Sequence, residues 1–186
     1  MPISTLTLLR HAKSSWKNQH LLDSERPLNS RGNTDAIEMA KRLLDRQSVP
    51  DYILSSSAVR TRQTTAHLLT VFSATPPQVA YEDSLYLASP LTLLGSLVEV
   101  PDAASHVMIV AHNPGIEELS ATLTGISFDV MPTAALRQFA CSNFEAILAA
   151  LLNDRLTLSA AIKAASGSVE LIHSDYPKSR AEPSST

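Results

Sequence analysis

The chain has 186 residues, 44% of them hydrophobic and 18% charged, with a formal net charge of -3. That is enough chain for one domain with a real core, and the slightly acidic balance argues against nucleic acid as the main partner, because phosphodiester binding shows as a basic surface. No apolar run approaches the roughly 18 to 20 residues of a membrane span, the N-terminus lacks the basic and then apolar segments of a secretory leader, and the single cysteine, Cys141, excludes an intramolecular disulfide, so a soluble cytoplasmic protein is expected.

In chain order, residues 3–9 form an apolar run that reads as a buried strand, and Arg10 and His11 follow at its end. Residues 12–31, with Pro27, Asn29 and Ser30 and with Gly32 directly after, read as loop. A helix is predicted over residues 34–46, with Ala36, Ile37, Ala40, Leu43 and Leu44 on one face at the helical period. Residues 52–54 read as a short strand, and Ser55, Ser56 and Ser57 offer N-caps for a helix over residues 58–72. A strand near 78–81 follows, then a helix over 90–98 with Ser89 as N-cap and Pro90 as its first residue. Residues 107–111 form a near-continuous apolar strand. His112 comes next, and Asn113 and Pro114 repeat the cap-and-proline start for a helix through about residue 123. Strands at 134–141 and 169–173 bracket helices at 144–152 and 158–165, and the tail from 174 to 186 is expected to be mobile at its end. Strand and helix alternate without a linker, which predicts a three-layer α/β/α sandwich on a mostly parallel central sheet, one domain over residues 1–173.

Ligands of such sheets bind at the carboxyl ends of the strands, and that is where His11 and His112 fall. A histidine's default place is the surface or a satisfied core position, and His20, His67, His106 and His173 keep that reading. His11 and His112 leave it because each ends an apolar strand directly, which points to a shared site. Arg10 continues a strand buried on both faces, where an unpaired guanidinium is costly; it calls for an anion. Paired histidines also suit zinc, but no His-x-x-x-His or Cys-x-x-Cys spacing is present and Arg10 would repel a cation, so no metal and no cofactor is expected. In Ser55 to Thr64, Arg60 and Arg62 point to nearly opposite sides of a helix. Arg60, nearer the strand end and the helix dipole, is the one expected to line the site.

Leu9-Arg10-His11-Ala12-Lys13-Ser14-Ser15-Trp16, Asp23 through Arg26-Pro27-Leu28-Asn29, Arg31-Gly32, Ser55 to Thr64 and His112-Asn113-Pro114-Gly115 stand in this order in the chain. Together they resemble the SixA branch of the histidine phosphatase, or phosphoglycerate mutase-like, superfamily, over about residues 3–125. The resemblance implies a phosphoglycerate mutase-like fold and a cofactor-independent phosphatase. It implies that His11 is the nucleophile, that His112 is its catalytic partner, and that Arg10 and Arg60 hold the phosphoryl group with help from Asn113. A neutral imidazole can attack phosphorus in line and split hydrolysis into two transfers, while fixed arginines hold the equatorial oxygens.

The chain also departs from that superfamily's larger members. Ala12 and Lys13 stand where those members have glycine and an acid, with Ser14 retained. A general acid is expected in the segment before the second histidine, where Glu82 and Asp83 are nearest. Lys13, Ser14, Arg26 and Glu82 are further candidates for substrate or acid contacts. Arg26 and Arg31 are alternatively loop anchors paired with Asp23 or Glu25, and Trp16 and Tyr86 are expected to be packing residues. The resemblance implies a phosphorylated protein as partner, such as a histidine-containing phosphotransfer domain. A small phosphoester, or a non-catalytic phosphate-binding role, is the alternative. Short segments between the motifs predict an open pocket rimmed by Lys13, Arg26 and Arg60.

Overall fold

The computed structural model describes residues 3–125, 130–153, 160 and 169–178. Six strands, β1 (Thr5–Arg10), β2 (Tyr52–Ser56), β3 (Gln78–Glu82), β4 (His106–Ala111), β5 (Leu136–Cys141) and β6 (Val169–Asp175), form one sheet in the order β3-β2-β4-β1-β5-β6. The four strands from β3 to β1 are parallel, and β5 and β6 run antiparallel at one side.

Successive side chains of a strand point to opposite faces, so the central strands feed two cores. Leu6, Leu8, Leu54, Val107 and Ile109 lie in one, with Leu93 and Leu94 of α3 (Pro90–Gly95), Ile116, Leu119 and Leu123 of α4 (Gly115–Thr124), and Phe144 and Ile147 of α5 (Phe144–Asn153). Leu9, Ile53, Met108 and Val110 lie in the other, under Ala36, Met39, Ala40 and Leu43 of α1 (Ser30–Asp45) and Leu68 of α2 (Val59–Val71). The three layers follow directly from this alternation.

Several predicted boundaries move, each for a local reason. α1 begins at Ser30 rather than Thr34, because the Asn29 side chain accepts from the Gly32 amide and caps the helix. Its Leu44 is 42% exposed, while Arg42 is buried in its place and ion-paired with Asp175 at 2.9 Å. None of the three serines caps α2: its N-cap is Ala58, and Ser56 instead accepts from the Ala58 amide at 3.4 Å. The helix expected through Val98 is α3 up to Gly95, continued by a 3-10 turn over Ser96–Glu99. Pro114, joined to Asn113 by a cis bond, is itself the N-cap of α4, with no side-chain capping bond. The strand expected from Ala134 starts at Leu136; Ala134 takes a φ of 62° and donates its amide to the carbonyls of Arg10 and His11. β6 continues two residues past His173 and is pinned by Arg42, which also donates to the carbonyls of Tyr176 and Pro177. The start of the predicted tail is therefore part of the sheet and its clamp. The helix expected over 158–165, save Ala160, and the tail after Lys178 lie outside the described residues.

A cavity of about 430 Å³ lies at the amino ends of β2 and β3, lined by Val49, Pro50, Tyr52, Pro76, Pro77 and Pro101 among others. Its lining has no histidine or arginine. The strands' carboxyl ends carry the chemistry instead.

Candidate active site

The parallel register aligns Arg10 with Ala111 and Ser55 with Val110. The residues that come next, His11, His112 and Ser56, therefore meet at one sheet edge, where a cavity of about 420 Å³ opens. The two imidazole centroids are 5.0 Å apart. Arg60, in the first turn of α2 and only 3% exposed, reaches both: its Nε donates to His11 Nε2 at 3.2 Å and its Nη2 to His112 Nδ1 at 3.2 Å.

Each imidazole's tautomer follows from its neighbours. The Ala12 carbonyl can only accept, so His11 Nδ1, 2.7 Å away, carries the proton and Nε2 keeps its lone pair. Burial drives His11 down to about 4, with Arg60, Arg10 and Arg26 adding to the depression and the Ala12 carbonyl opposing it. Arg60 can only donate, so His112 Nδ1 accepts and its Nε2 donates to Ser56 Oγ at 2.9 Å. Burial, then His11 and Arg60, drives His112 down to about 3. Both rings are neutral at pH 7. The segment after His11 is fixed by Thr64, whose Oγ1 accepts from the Ala12 amide at 3.1 Å.

Arg10 lines the same cavity. Its Nη1 donates to the Met131 carbonyl at 2.6 Å, and its buried Nε has no hydrogen-bond partner among the described residues. Burial works against its charge. An unpaired, buried guanidinium donor beside a cavity is a place for an anion.

The carboxylate that answers Arg60, and Arg26 beside it, is Asp23. It sits in a 3-10 turn, Asp23–Glu25, and lines the cavity. Its carbonyl accepts from Arg60 Nη1, and Oδ2 accepts from Arg60 Nη2 at 2.9 Å and from the Tyr86 hydroxyl at 2.7 Å. Oδ1 accepts from Arg26 Nη1 at 2.6 Å. The Tyr86 hydrogen bond, with Arg26 and Arg60 behind it, holds the Asp23 carboxyl at about 2. Asp23 thus occupies Arg60 with an anion of the protein's own.

The sequence-predicted residues separate accordingly. Arg10, His11, Arg60 and His112 converge on the cavity, and Lys13, Ser14, Arg26 and Asn113 line it with them. Arg62 is exposed and stacks on Tyr81, 4.2 Å from its ring centroid. The expected three-residue basic rim does not form: Arg26 is only 6% exposed, Arg60 is deeper still, and Lys13 alone of the three is exposed. Arg26 is a loop anchor, donating to Asp23, to the Ser15 carbonyl at 3.0 Å and to Ser14 Oγ at 2.6 Å. Arg31 pairs with Asp35 on its own helix rather than with Asp23 or Glu25. The Asn113 side-chain nitrogen is committed to Glu117 at 2.8 Å and to the Met131 carbonyl at 3.2 Å. Glu82 is exposed at the end of β3 and absent from the cavity lining. Trp16 and Tyr86 are not packing residues: Trp16 is 70% exposed at the cavity, and Tyr86 meets His112 edge-on with centroids 5.4 Å apart.

Sequence reasoning offered Asp23 as a partner of Arg26, and that pair forms, but it missed Asp23, Ser56 and Tyr86 as partners of Arg60 and the imidazoles. Ser56 had a signal, since it ends β2 as His11 and His112 follow β1 and β4. Asp23 and Tyr86 arrive on loops, and only the fold brings them in.

A family model described as Histidine phosphatase superfamily (branch 1) matches residues 6–84. An uncharacterized chloroplastic protein of Arabidopsis thaliana is 36% identical over 143 residues, which are 72% of this chain and 65% of the relative. The chain thus spans about two thirds of that relative's length. Among solved structures, an Agrobacterium tumefaciens protein assigned as phosphohistidine phosphatase SixA is 33% identical with a TM-score of 0.70, over 76% of this chain and 94% of that one. The protein histidine phosphatase SixA complexed with tungstate matches over 93% and 97% of the two chains with a TM-score of 0.68. At 17% identity, it shares the fold.

Proposed function

The chain belongs to the histidine phosphatase superfamily, branch 1, and from that premise we propose that it is a cofactor-independent phosphatase that works through a phosphohistidine intermediate on His11. The observation that carries this reading is a neutral His11 whose Nε2 keeps its lone pair, held by Arg60 Nε, in one cavity with the guanidiniums of Arg10 and Arg60 and the imidazole of His112.

In this reading the substrate's phosphoryl group displaces Asp23 from Arg60, draws Arg60 Nε off the His11 Nε2 lone pair, and takes the guanidiniums of Arg10 and Arg60 as its charge partners. His11 Nε2 attacks phosphorus, the bond to the leaving group breaks, and the phosphoryl group is held on Nε2. Nδ1 keeps its proton on the Ala12 carbonyl throughout, so the ring does not rotate between the two transfers. Water then attacks the same phosphorus and releases inorganic phosphate and free His11. The Ser56 hydroxyl can donate as well as accept. It can therefore hold His112 in either tautomer, and the one protonated at Nδ1 donates to a phosphoryl oxygen in this reading once Arg60 has turned from that nitrogen to the phosphoryl group. Neither Glu82, which is exposed and outside the cavity lining, nor Asp23, whose carboxyl is held at about 2 and is ionised at pH 7, protonates the leaving group in this reading; solvent water supplies that proton.

The substrate in this reading is a phosphohistidine protein. SixA of Agrobacterium tumefaciens is assigned as a phosphohistidine phosphatase, and the exposed Lys13 at an open cavity suits a phosphoryl group presented on a surface. No helix among the described residues is long and apolar enough to cross a membrane, and the buried Cys141 thiol fits a reducing compartment such as the cytoplasm. Turnover of para-nitrophenyl phosphate in excess EDTA, followed by a phosphohistidine protein under the same conditions, tests the reading. Absence of both activities in folded protein defeats it in favour of a phosphate-binding role.

A further inference from the structure

The polar floor of the cavity accounts for a phosphoryl group, but its mouth carries two large apolar side chains that this role does not use. Trp16 is 70% exposed and Leu87 is 53% exposed, and both line the cavity. They come from different loops, one between β1 and α1 and the other between β3 and α3. Neither is an incidental surface residue. The Arg26 guanidinium lies 3.2 Å from the Trp16 ring centroid, and Arg26 is itself held by Asp23, Ser14 and the Ser15 carbonyl. One face of the indole is thus fixed by a buried cation, so little rotamer freedom is left to lose on binding. Leu87 is held at a φ of 49°, a left-handed backbone that a leucine rarely adopts.

We propose that Trp16 and Leu87 form an apolar clamp for a flat aromatic ring next to the phosphoryl group, the imidazole of a phosphohistidine side chain, bonded to phosphorus through its nitrogen, or the ring of an aryl phosphate, joined through the ester oxygen. The proposal rests on the phosphatase reading above and adds the leaving group to it. An indole face and an aliphatic side chain suit an aromatic ring. A sugar would bring several hydroxyls that need polar partners, and an indole face and a leucine side chain offer them none.

Two non-hydrolysable probes separate floor from clamp. Titration calorimetry with phenylphosphonate, methylphosphonate and inorganic phosphate is performed on the wild-type chain and on Trp16→Ala, Trp16→Phe and Leu87→Ala. Because Trp16 is the single tryptophan of the chain, its fluorescence reports ring stacking directly. The expected result is that phenylphosphonate binds wild type at least about fivefold more tightly than methylphosphonate and changes Trp16 emission. That preference disappears in Trp16→Ala, weakens in Leu87→Ala and survives in Trp16→Phe. In turnover, Trp16→Ala raises KM for para-nitrophenyl phosphate or for a phosphohistidine protein more than it lowers kcat; the substrate that responds identifies the source of the ring. Equal affinity of the two phosphonates for wild type, or a preference retained in Trp16→Ala, overturns the clamp while inorganic phosphate still binds. Failure of inorganic phosphate to bind wild type overturns the phosphatase reading and the clamp with it.

Discussion

At the scale of single residues, the arrangement turns on one lone pair. The Ala12 carbonyl fixes the proton of His11 on Nδ1, and burial keeps the ring neutral down to about pH 4. The pH dependence follows with a definite sign. Protonation disables the nucleophile, so kcat/KM falls as pH drops through about 4, and His11 contributes no titration between pH 5 and 8. A pH–rate profile checks this, and an acid limb centred near 6.5 would show that burial does not govern His11. His11→Ala is expected to lose at least about 10³-fold in kcat with the fold retained, and His112→Ala about 10²-fold, since the latter loses a donor and not the nucleophile. Asp23→Asn removes the internal anion that competes for Arg60 while keeping the side chain's shape and one of its two acceptor oxygens. It should tighten inorganic phosphate about two- to fivefold by calorimetry, the scale of a partly exposed ion pair; weaker binding would mean that Asp23 organises the arginines more than it blocks them.

At the scale of elements, two glycines hold loops against the site. A Cβ on Gly32 of α1 would fall on the Lys13 carbonyl, and one on Gly115 of α4 would fall on the Ala88 carbonyl. The first contact sets the loop that follows His11, and the second sets the connection that carries Leu87. Gly32→Ala and Gly115→Ala should each cost about 1–3 kcal/mol, read as a Tm lower by roughly 2–10 °C, and an unchanged Tm would show that the loops give way. Both glycines stand in the sequence motifs, yet only the backbone approach explains them. The four residues Arg10, His11, Arg60 and His112 were legible because apolar strands point to their own ends. The loop residues were not. Glu82 and Tyr86 lie four positions apart, but the 3-10 turn Asp83–Leu85 between them leaves Glu82 outside and carries Tyr86 onto Asp23. Likewise, Arg26 reads either as a rim contact or as an anchor on Asp23 or Glu25 until the loop folds over it and the Asp23 pair forms, and Asn29 reads as loop until its side chain caps α1.

At the scale of the molecule, the layering was readable from strand and helix alternation, whereas the antiparallel pair β5 and β6 and the clamp of Arg42 on Asp175 depend on contacts remote in sequence. The buried neutral histidines also couple the site to global stability. Unfolded histidines titrate near 6.5 and His11 and His112 near 4 and 3 when folded, so the unfolded chain binds more protons between those values. Stability therefore falls as pH drops below about 6.5. Tm measured from pH 7.5 to 4.5 should decline in wild type and decline less in the His11→Ala, His112→Ala double variant.

The central claim is a phosphoryl group carried on His11 Nε2, and rapid quench under base with intact and peptide mass spectrometry tests it most directly. Mixing the protein with substrate in excess EDTA should yield one added phosphoryl group on the peptide containing His11, forming and decaying at rates compatible with turnover and absent in His11→Ala. Full turnover by the His11→Ala variant, or turnover of wild type with no phosphoryl group ever found on that peptide, would contradict it.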